Sequence, residues 1–197
     1  MTKKIVITGH THGVGKTIYD MFCDQSCHEI VGMSRSNGYD IEKDFDKIVA
    51  ESEGAELFIN NAYRDGQQLK LLHALKDKVE SIVVMGSVSR FYPEIIPTDY
   101  VHDKQELAEA CRMLSMNPDS IPILHLDLSF IEGTVANNSD DFTSDFNITQ
   151  QEIVETIVFW CQHPNIRQVE FNWKLTPHVL SELNRVNPNL DPTRITI

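Results

Sequence analysis

The chain has 197 residues, of which 41% are hydrophobic and 23% charged, a balance typical of a globular protein that buries one core. We therefore predict a single domain over residues 1–197, with an irregular tail from about residue 184. The formal net charge of -12 disfavours nucleic acid as a partner, because an acidic surface repels phosphate backbones. Neither a secretory signal nor an apolar run of roughly 20 residues is found, so we expect a cytoplasmic protein without a membrane partner. The four cysteines have no companion ligands at zinc spacing, and we expect reduced thiols and no metal site.

Strand-like apolar runs alternate with helix-like stretches along most of the sequence. The predicted strands cover 4–9, 28–34, 55–62, 81–87, 121–129 and 167–173, with a very short extra strand at Asp40 and Ile41. The predicted helices cover 14–24, 42–52, 67–79, 99–115 and 148–162. This alternation predicts an α/β fold, a Rossmann-type doubly wound parallel sheet in three α/β/α layers. Ligands of such sheets bind beyond the carboxyl ends of the strands.

The first strand runs into the glycine-rich stretch IVITGHTHGVGKT, residues 5–17. Its end matches the P-loop pattern G-x-x-x-x-G-K-[ST] through Gly15, Lys16 and Thr17. The first glycine of that pattern would fall at His10, and a bulky residue there does not suit a loop wrapped tightly around phosphates. A P-loop nucleotide hydrolase is therefore a less favoured alternative.

The same stretch meets the pattern T-G-x-x-x-G-x-G in full through Thr8, Gly9, Gly13 and Gly15. Glycines at these positions allow a tight turn and a close approach of the backbone to a pyrophosphate at the helix N-terminus. The stretch thus favours a dinucleotide-binding loop, and a plain helix-entry turn rich in small residues stays open.

Tyr100 and Lys104 are four residues apart at the start of the predicted helix 99–115, which places both side chains on one face. The ordinary pKa of tyrosine is about 10, and a nearby ammonium favours the phenolate. We therefore expect Lys104 to bring the pKa of Tyr100 toward neutrality, as a general acid or base requires. Taken alone, such a pair is more often two neighbouring surface residues.

Two further motifs accompany this pair: Ser87 ends the strand 81–87, and N-N-A, residues 60–62, ends the strand before it. In this order the four motifs resemble those of the short-chain dehydrogenase/reductase family. That family carries T-G-x-x-x-G-x-G at its first turn, N-N-A-G after the fourth strand, a serine after the fifth and Y-x-x-x-K on the next helix. The resemblance spans roughly residues 4–175 and indicates a compact member.

The resemblance implies an oxidoreductase that moves a hydride between a nicotinamide cofactor and a small carbonyl or alcohol substrate. Tyr100 would transfer the proton of the substrate oxygen, Lys104 would lower the pKa of Tyr100 and bind the nicotinamide ribose, and Ser87 would hydrogen-bond the carbonyl. The implied cofactor-binding residues are Gly9, Thr11, His12, Gly13, Val14, Gly15, Ser34, Arg35, Asp40, Ile41, Asn60, Asn61, Ala62, Tyr100 and Lys104.

The end of the second strand bears on the choice of cofactor. Ser34 and Arg35 stand where members that prefer NAD generally carry an acidic residue. A hydroxyl and a guanidinium suit a 2′-phosphate, which arginine grips with a fork of donors, and His12 and Thr11 could assist. NADP is therefore the expected cofactor, and NAD is less favoured.

The sequence also departs from the family pattern. Tyr63 stands in place of the last glycine of N-N-A-G, and the asparagine that often completes the catalytic set has no counterpart, although Gln67 or Gln68 could substitute. The stretch between N-N-A and Ser87 is roughly half the usual length, so the helix within it must be short. The family's usual dimer buries that helix, and whether this chain forms a homodimer therefore stays open. The alternative function is a catalytically idle, dinucleotide-binding regulatory protein on the same fold.

Overall fold

The computed structural model describes residues 3–24, 28–93, 98–129, 131 and 148–170 of the chain. The strands are β1 Lys3–Thr8, β2 His28–Met33, β3 Leu57–Asn60, β4 Ile82–Met85, β5 Ile123–Asp127 and β6 Gln168–Glu170. The α-helices are α1 Gly13–Asp24, α2 Phe45–Ser52, α3 Gln67–Leu75, α4 Asp99–Ser115 and α5 Gln150–Gln162. Two short 3₁₀ turns follow β2 and β4, at Arg35–Asn37 and Val88–Phe91.

All six strands pair in parallel, in the order β2-β1-β3-β4-β5-β6. The central strands β3, β4 and β5 are buried at every position, as expected where helices cover both faces of a parallel sheet. The edge strand β6 is largely exposed. The predicted α/β class and Rossmann-type sheet are therefore confirmed.

Two apolar clusters separate the three layers. Neighbouring residues of a strand point to opposite faces, so that Ile59 packs with α1 and α5 while Phe58 packs with α2, α3 and α4. Trp160 of α5 is the largest side chain in the first cluster and is 1% exposed. Leu72 of α3 and Leu107 of α4 close the second.

The strand order reverses at β1, which lies between β2 and β3. The crevice beyond the carboxyl ends of β1 and β3 is therefore the place where a ligand is expected. One side chain joins the two loops there: the hydroxyl of Thr8 accepts hydrogen bonds from the backbone N–H groups of Asn61 and Ala62, each at 3.0 Å. The Asn61 side-chain amide returns a bond to the Thr8 carbonyl at 2.9 Å, so the glycine loop and the N-N-A segment are held together.

The prediction of a very short strand at Asp40 and Ile41 was wrong. The Asp40 carboxylate accepts hydrogen bonds from the backbone N–H groups of Glu42, at 2.9 Å, and Lys43, at 3.4 Å. This turn satisfies the local backbone without a neighbouring strand, and it delays the start of α2. Ile41 is 7% exposed and joins the core instead of a sheet.

The other predicted elements are present, with ends that differ by a few residues. The predicted helix 99–115 has the bounds of α4, whose N-cap Thr98 accepts a bond from the Val101 N–H at 3.3 Å. Helix α3 ends four residues earlier than predicted. The last residues of the predicted strand 167–173 and the predicted tail from 184 lie outside the described residues.

A buried ion pair ties the 3₁₀ turn after β4 to β5. Arg90 donates two hydrogen bonds to the Asp127 carboxylate, both at 2.8 Å, and Asp127 is fully buried. Gln168 of β6 donates a third bond to the same carboxylate at 3.0 Å. His125 lies 3.5 Å away but supplies no charge at neutral pH, because burial lowers its pKa to about 4. Arg90 is thus the cationic partner of Asp127.

We expect Arg90→Met to destabilise the fold by about 3 kcal/mol, because it leaves the Asp127 carboxylate buried without its cation. Urea unfolding followed by circular dichroism measures this loss. The control is Arg112→Met, which breaks an exposed pair with Glu109 and should change stability little. Equal losses in the two variants would show that burial does not make the Arg90–Asp127 pair special.

Candidate functional site

A cavity of about 660 Å³ lies at the switch point of the sheet. It collects residues from the glycine loop, from the end of β2 and the turn beyond it, and from the loop after β3. Its lining residues are Gly9, Thr11, His12, Met33, Ser34, Arg35, Ser36, Tyr39, Asp40, Ile41, Ala62, Tyr63 and Arg64. Most of the residues that the sequence predicted for the cofactor are in this list.

The glycine loop closes on itself beneath the cavity. Gly9 has φ of 71°, and a Cβ added to Gly15 would lie 2.3 Å from the Gly9 carbonyl oxygen, so no side chain fits at Gly15. Val14 is 7% exposed and belongs to the core. Gly13, Val14 and Gly15 therefore build the loop and the start of α1 without lining the cavity, whereas Gly9 lines it.

His10 stands where a P-loop would need its first glycine. Its ring packs 4.9 Å from the ring of Tyr19, and a Cβ on Gly32 would lie 2.4 Å from it. The imidazole thus fills the space between β2 and α1. Lys16 pairs with Asp20 on the exposed side of α1 and does not line the cavity. The geometry therefore disfavours the P-loop alternative.

The cavity is positively charged at the end of β2, in a chain whose net charge is -12. Among its described lining residues, Arg35 and Arg64 are the cations and Asp40 is the one acid. Hydrogen bonds from backbone N–H groups lower the pKa of Asp40, so its charge is fixed at neutral pH. The Arg64 guanidinium pairs with Glu42 at 3.2 Å, so Arg35 is the lining cation whose guanidinium best suits a phosphate.

The turn after β2 presents a row of hydroxyl groups to the same cavity. The hydroxyl oxygens of Ser34 and Ser36 lie 2.8 Å apart, and Asn37 accepts a bond from the Ser34 backbone N–H at 2.8 Å. Sequence reasoning found Ser34 and Arg35 but missed Ser36 and Arg64. For Arg64, the available signal was a basic residue shortly after N-N-A.

Ser87 and Tyr100 meet at the carboxyl end of β4. Ser87 caps the 3₁₀ turn, accepting a bond from the Ser89 N–H at 3.2 Å, and the two serine hydroxyl oxygens are 2.8 Å apart. Burial raises the pKa of Tyr100, and the nearby Ser87 hydroxyl partly offsets that rise. Tyr100 is 37% exposed, so its ring is also reachable from solvent.

The expectation that Lys104 brings the pKa of Tyr100 toward neutrality was wrong, since that pKa lies above its ordinary value. The Lys104 ammonium is 5.5 Å from the centre of the Tyr100 ring and is bonded elsewhere. It donates to the Gln68 side-chain oxygen at 2.6 Å and to the Met85 carbonyl at 2.7 Å. Burial lowers the pKa of Lys104 to about 8, opposed by the carboxylates of Asp127 and Asp103.

Tyr63 stands at the position of the missing glycine, close to Lys104. Its hydroxyl donates to the Asp103 carboxylate at 3.0 Å, and its ring packs edge-on against Tyr100 with 4.8 Å between centroids. The Lys104 ammonium lies 5.3 Å from the centre of the Tyr63 ring. Lys104 is 3% exposed, and Tyr63 both lines the cavity and lies beside the ammonium.

The remaining predicted site residues have structural partners. Asn60 is fully buried and donates its side-chain amide to the Gln68 carbonyl at 2.8 Å. Asn61 braces the glycine loop, as described above.

The chain is similar to known proteins in structure but not in sequence. No family model and no curated protein matches the sequence. A short-chain dehydrogenase from Sphingobium yanoikuyae, solved in complex with NADPH, has a TM-score of 0.68 at 14% identity and covers 98% of both chains. The chain has the short-chain dehydrogenase/reductase fold. The resemblance drawn from the four motifs is confirmed at this level.

Two alcohol dehydrogenases support the same assignment. The bulky-bulky ketone specific enzyme from Comamonas testosteroni has a TM-score of 0.66 at 16% identity, over 98% of this chain and 97% of that one. The enzyme from the archaeon Thermococcus sibiricus, complexed with 5-hydroxy-NADP, has a TM-score of 0.61 at 15% identity, over 85% of this chain and 95% of that one. At these identities the likeness establishes the fold, and the reaction is a separate question.

Within the described ranges, none of the helices combines the length and apolar character needed to cross a bilayer.

Stability should depend on pH through Lys104. Its pKa is lowered from 10.5 to about 8, so between these pH values the unfolded chain binds a proton that the folded chain has released. The contribution of this group to stability therefore increases as the pH rises through that range. We expect the melting temperature of the wild type, relative to that of Lys104→Met, to increase between pH 8 and pH 10.

Differential scanning calorimetry of the two proteins across this range measures the gain. The control is Lys70→Met, which removes an exposed lysine of α3 and should keep a constant difference from the wild type. A constant difference for Lys104→Met as well would contradict the burial of the ammonium.

Proposed function

We propose that this chain is an NADP(H)-dependent oxidoreductase of the short-chain dehydrogenase/reductase type, acting on a small carbonyl or its alcohol. The observation that carries the proposal is that Ser87 and Tyr100 lie close together, with Lys104 one helical turn beyond Tyr100, beside a cavity at the switch point. A serine, a tyrosine and a lysine in this arrangement can bind a carbonyl oxygen and supply it with a proton.

The cavity fits the adenosine and phosphate end of a dinucleotide. Pockets for cofactors commonly enclose about 300–1,000 Å³, and this one encloses about 660 Å³. Arg35 and Ser34 would hold a 2′-phosphate, Ile41 and Asp40 would contact the adenine, and the loop of Gly9 would face the pyrophosphate. The complexes of two structural relatives with NADPH and 5-hydroxy-NADP support NADP for this chain.

The proposed reaction uses the side chains of Ser87, Tyr100 and Lys104 near the carboxyl end of β4. When bound, the nicotinamide supplies or accepts the hydride. Because burial raises the pKa of Tyr100 above its ordinary value, its hydroxyl stays protonated at neutral pH and can give its proton to the oxygen of a carbonyl. Ser87 hydrogen-bonds that oxygen and stabilises the charge that develops on it. The Lys104 ammonium, 5.5 Å from the centre of the Tyr100 ring, supplies positive charge near the phenolate left on Tyr100. The protonated form of Tyr100 is the one that carbonyl reduction requires.

One observation favours a second function. Tyr63 packs on Tyr100 and lies beside Lys104, which is almost fully buried. A dinucleotide-binding regulatory protein without turnover would tolerate this arrangement. The two functions share the cavity and differ in whether Tyr100 transfers a proton.

The cofactor is tested by calorimetric titration of NADPH, NADH and ATP with magnesium. We expect NADPH to bind most tightly, and Arg35→Ser to weaken NADPH about tenfold or more while leaving NADH unchanged, because a charge-assisted hydrogen bond is lost. Lys43→Ser, which removes an exposed cation just outside the cavity lining, is the control. Binding of ATP alone, unaffected by Arg35→Ser, would contradict the proposal.

The reaction is tested with Tyr100→Phe, which keeps the ring and removes the proton donor. We expect turnover of a panel of small ketones and aldehydes to fall about 100-fold or more, with NADPH binding retained. Tyr19→Phe removes a hydroxyl of α1 that is neither a cavity-lining group nor one of the proposed catalytic groups, and it should keep full turnover. A wild type that binds NADPH but reduces none of the panel, or a fully active Tyr100→Phe, would favour the regulatory function.

A further inference from the structure

We propose that Gln68 is a positioning residue for Lys104. The side-chain amide of Gln68 holds the Lys104 ammonium at the carboxyl end of β4, beside Tyr100. The proposal deepens the proposed function, and its kinetic consequences rest on that function. The sequence left Gln67 and Gln68 as alternatives for a missing asparagine, and the structure bonds Lys104 to Gln68.

The geometry around Lys104 is a closed set of hydrogen bonds. The ammonium donates to the Gln68 oxygen at 2.6 Å and to the Met85 carbonyl at 2.7 Å. The Gln68 amide nitrogen donates to the Asn60 carbonyl at 2.9 Å and to the Met85 carbonyl at 3.3 Å. Asn60 donates back to the Gln68 carbonyl at 2.8 Å. Gln68 and Lys104 are each 3% exposed, so water does not substitute for these partners.

These bonds also fix which way the amide faces. Both carbonyls that contact the Gln68 nitrogen can only accept, so the nitrogen must lie on their side and the oxygen on the side of Lys104. Turning the amide over would bring its N–H groups against the ammonium and leave two buried carbonyls facing an oxygen. The chain around β3 and β4 therefore pre-orients an acceptor toward Lys104.

A neutral acceptor suits the chemistry better than a carboxylate would. An ammonium has three N–H donors, and the two bonds to Gln68 and Met85 leave one for a ribose hydroxyl or for the phenolate of Tyr100. The carboxylates of Asp103 and Asp127 act on Lys104 through charge, without a hydrogen bond to it. Lys104 is thus held in place by Gln68 without being neutralised in an ion pair.

The experiment compares Gln68→Met with the wild type, using Gln67→Met as the control. Gln67 is the adjacent buried residue of α3, and Lys104 does not bond to it. The first readout is the pH titration of the Lys104 Cε resonance in ¹³C-labelled protein, assigned with Lys104→Met. Loss of the acceptor should lower the midpoint by about one unit or more in Gln68→Met and leave it unchanged in Gln67→Met.

A second variant keeps the proposal falsifiable if Gln68→Met folds poorly. Gln68→Glu places a carboxylate at the same distance and should move the Lys104 midpoint in the opposite direction, upward. A residue that merely fills space would lower the melting temperature when replaced without moving the Lys104 midpoint either way. Unchanged midpoints in both variants would overturn the proposal.

The kinetic readout is a double-mutant cycle on carbonyl reduction. We expect Gln68→Met to lower kcat/KM about tenfold at pH 7 and to have no further effect in the Lys104→Met background, because it acts through the lysine. Equal losses in both backgrounds would show a structural role and contradict the proposal. If the wild type shows no NADPH binding and no turnover, the proposed function fails, while the Lys104 titration still decides the role of Gln68.

Discussion

The hydroxyl of Thr8 holds the two halves of the site together. Thr8 is the last residue of β1, at the point where the strand order reverses. Its hydroxyl accepts hydrogen bonds from the backbone N–H groups of Asn61 and Ala62. This link, together with the Asn61 bond to the Thr8 carbonyl, sets the distance between the glycine loop and the loop after β3, which form two walls of the cavity. Such contacts are needed because parallel strands alone fix the direction of the loops but not their spacing.

The candidate site is built at a cost to the fold. A lysine is buried without a hydrogen-bonded counterion, and the acid nearest to it in β5, Asp127, is committed to Arg90. A core of apolar residues at these positions would be simpler to stabilise. The arrangement makes sense if Lys104 is needed as a charge beside Tyr100, since functional sites are where such strain is usually found.

Tyr63 is the feature that distinguishes this site from the family pattern. A glycine at that position would lack the ring that lines the cavity beside Lys104, whereas the tyrosine places it there and anchors its hydroxyl on Asp103. The same residue thus connects the loop after β3 to α4. Tyr63 therefore affects both the access of a substrate or cofactor and the stability of this loop.

The sequence by itself determined the fold class, the strand and helix order and the meeting of four motifs at one edge of the sheet, because hydrophobic periodicity and glycine spacing are local signals. It did not determine the turn at Asp40, where a carboxylate accepts hydrogen bonds from the backbone N–H groups of Glu42 and Lys43. Only the tertiary structure decided that Lys104 is buried, that its acceptor is Gln68 and that the pKa of Tyr100 is raised. Burial and hydrogen-bond partners 36 residues apart arise from packing between elements, which no local pattern records.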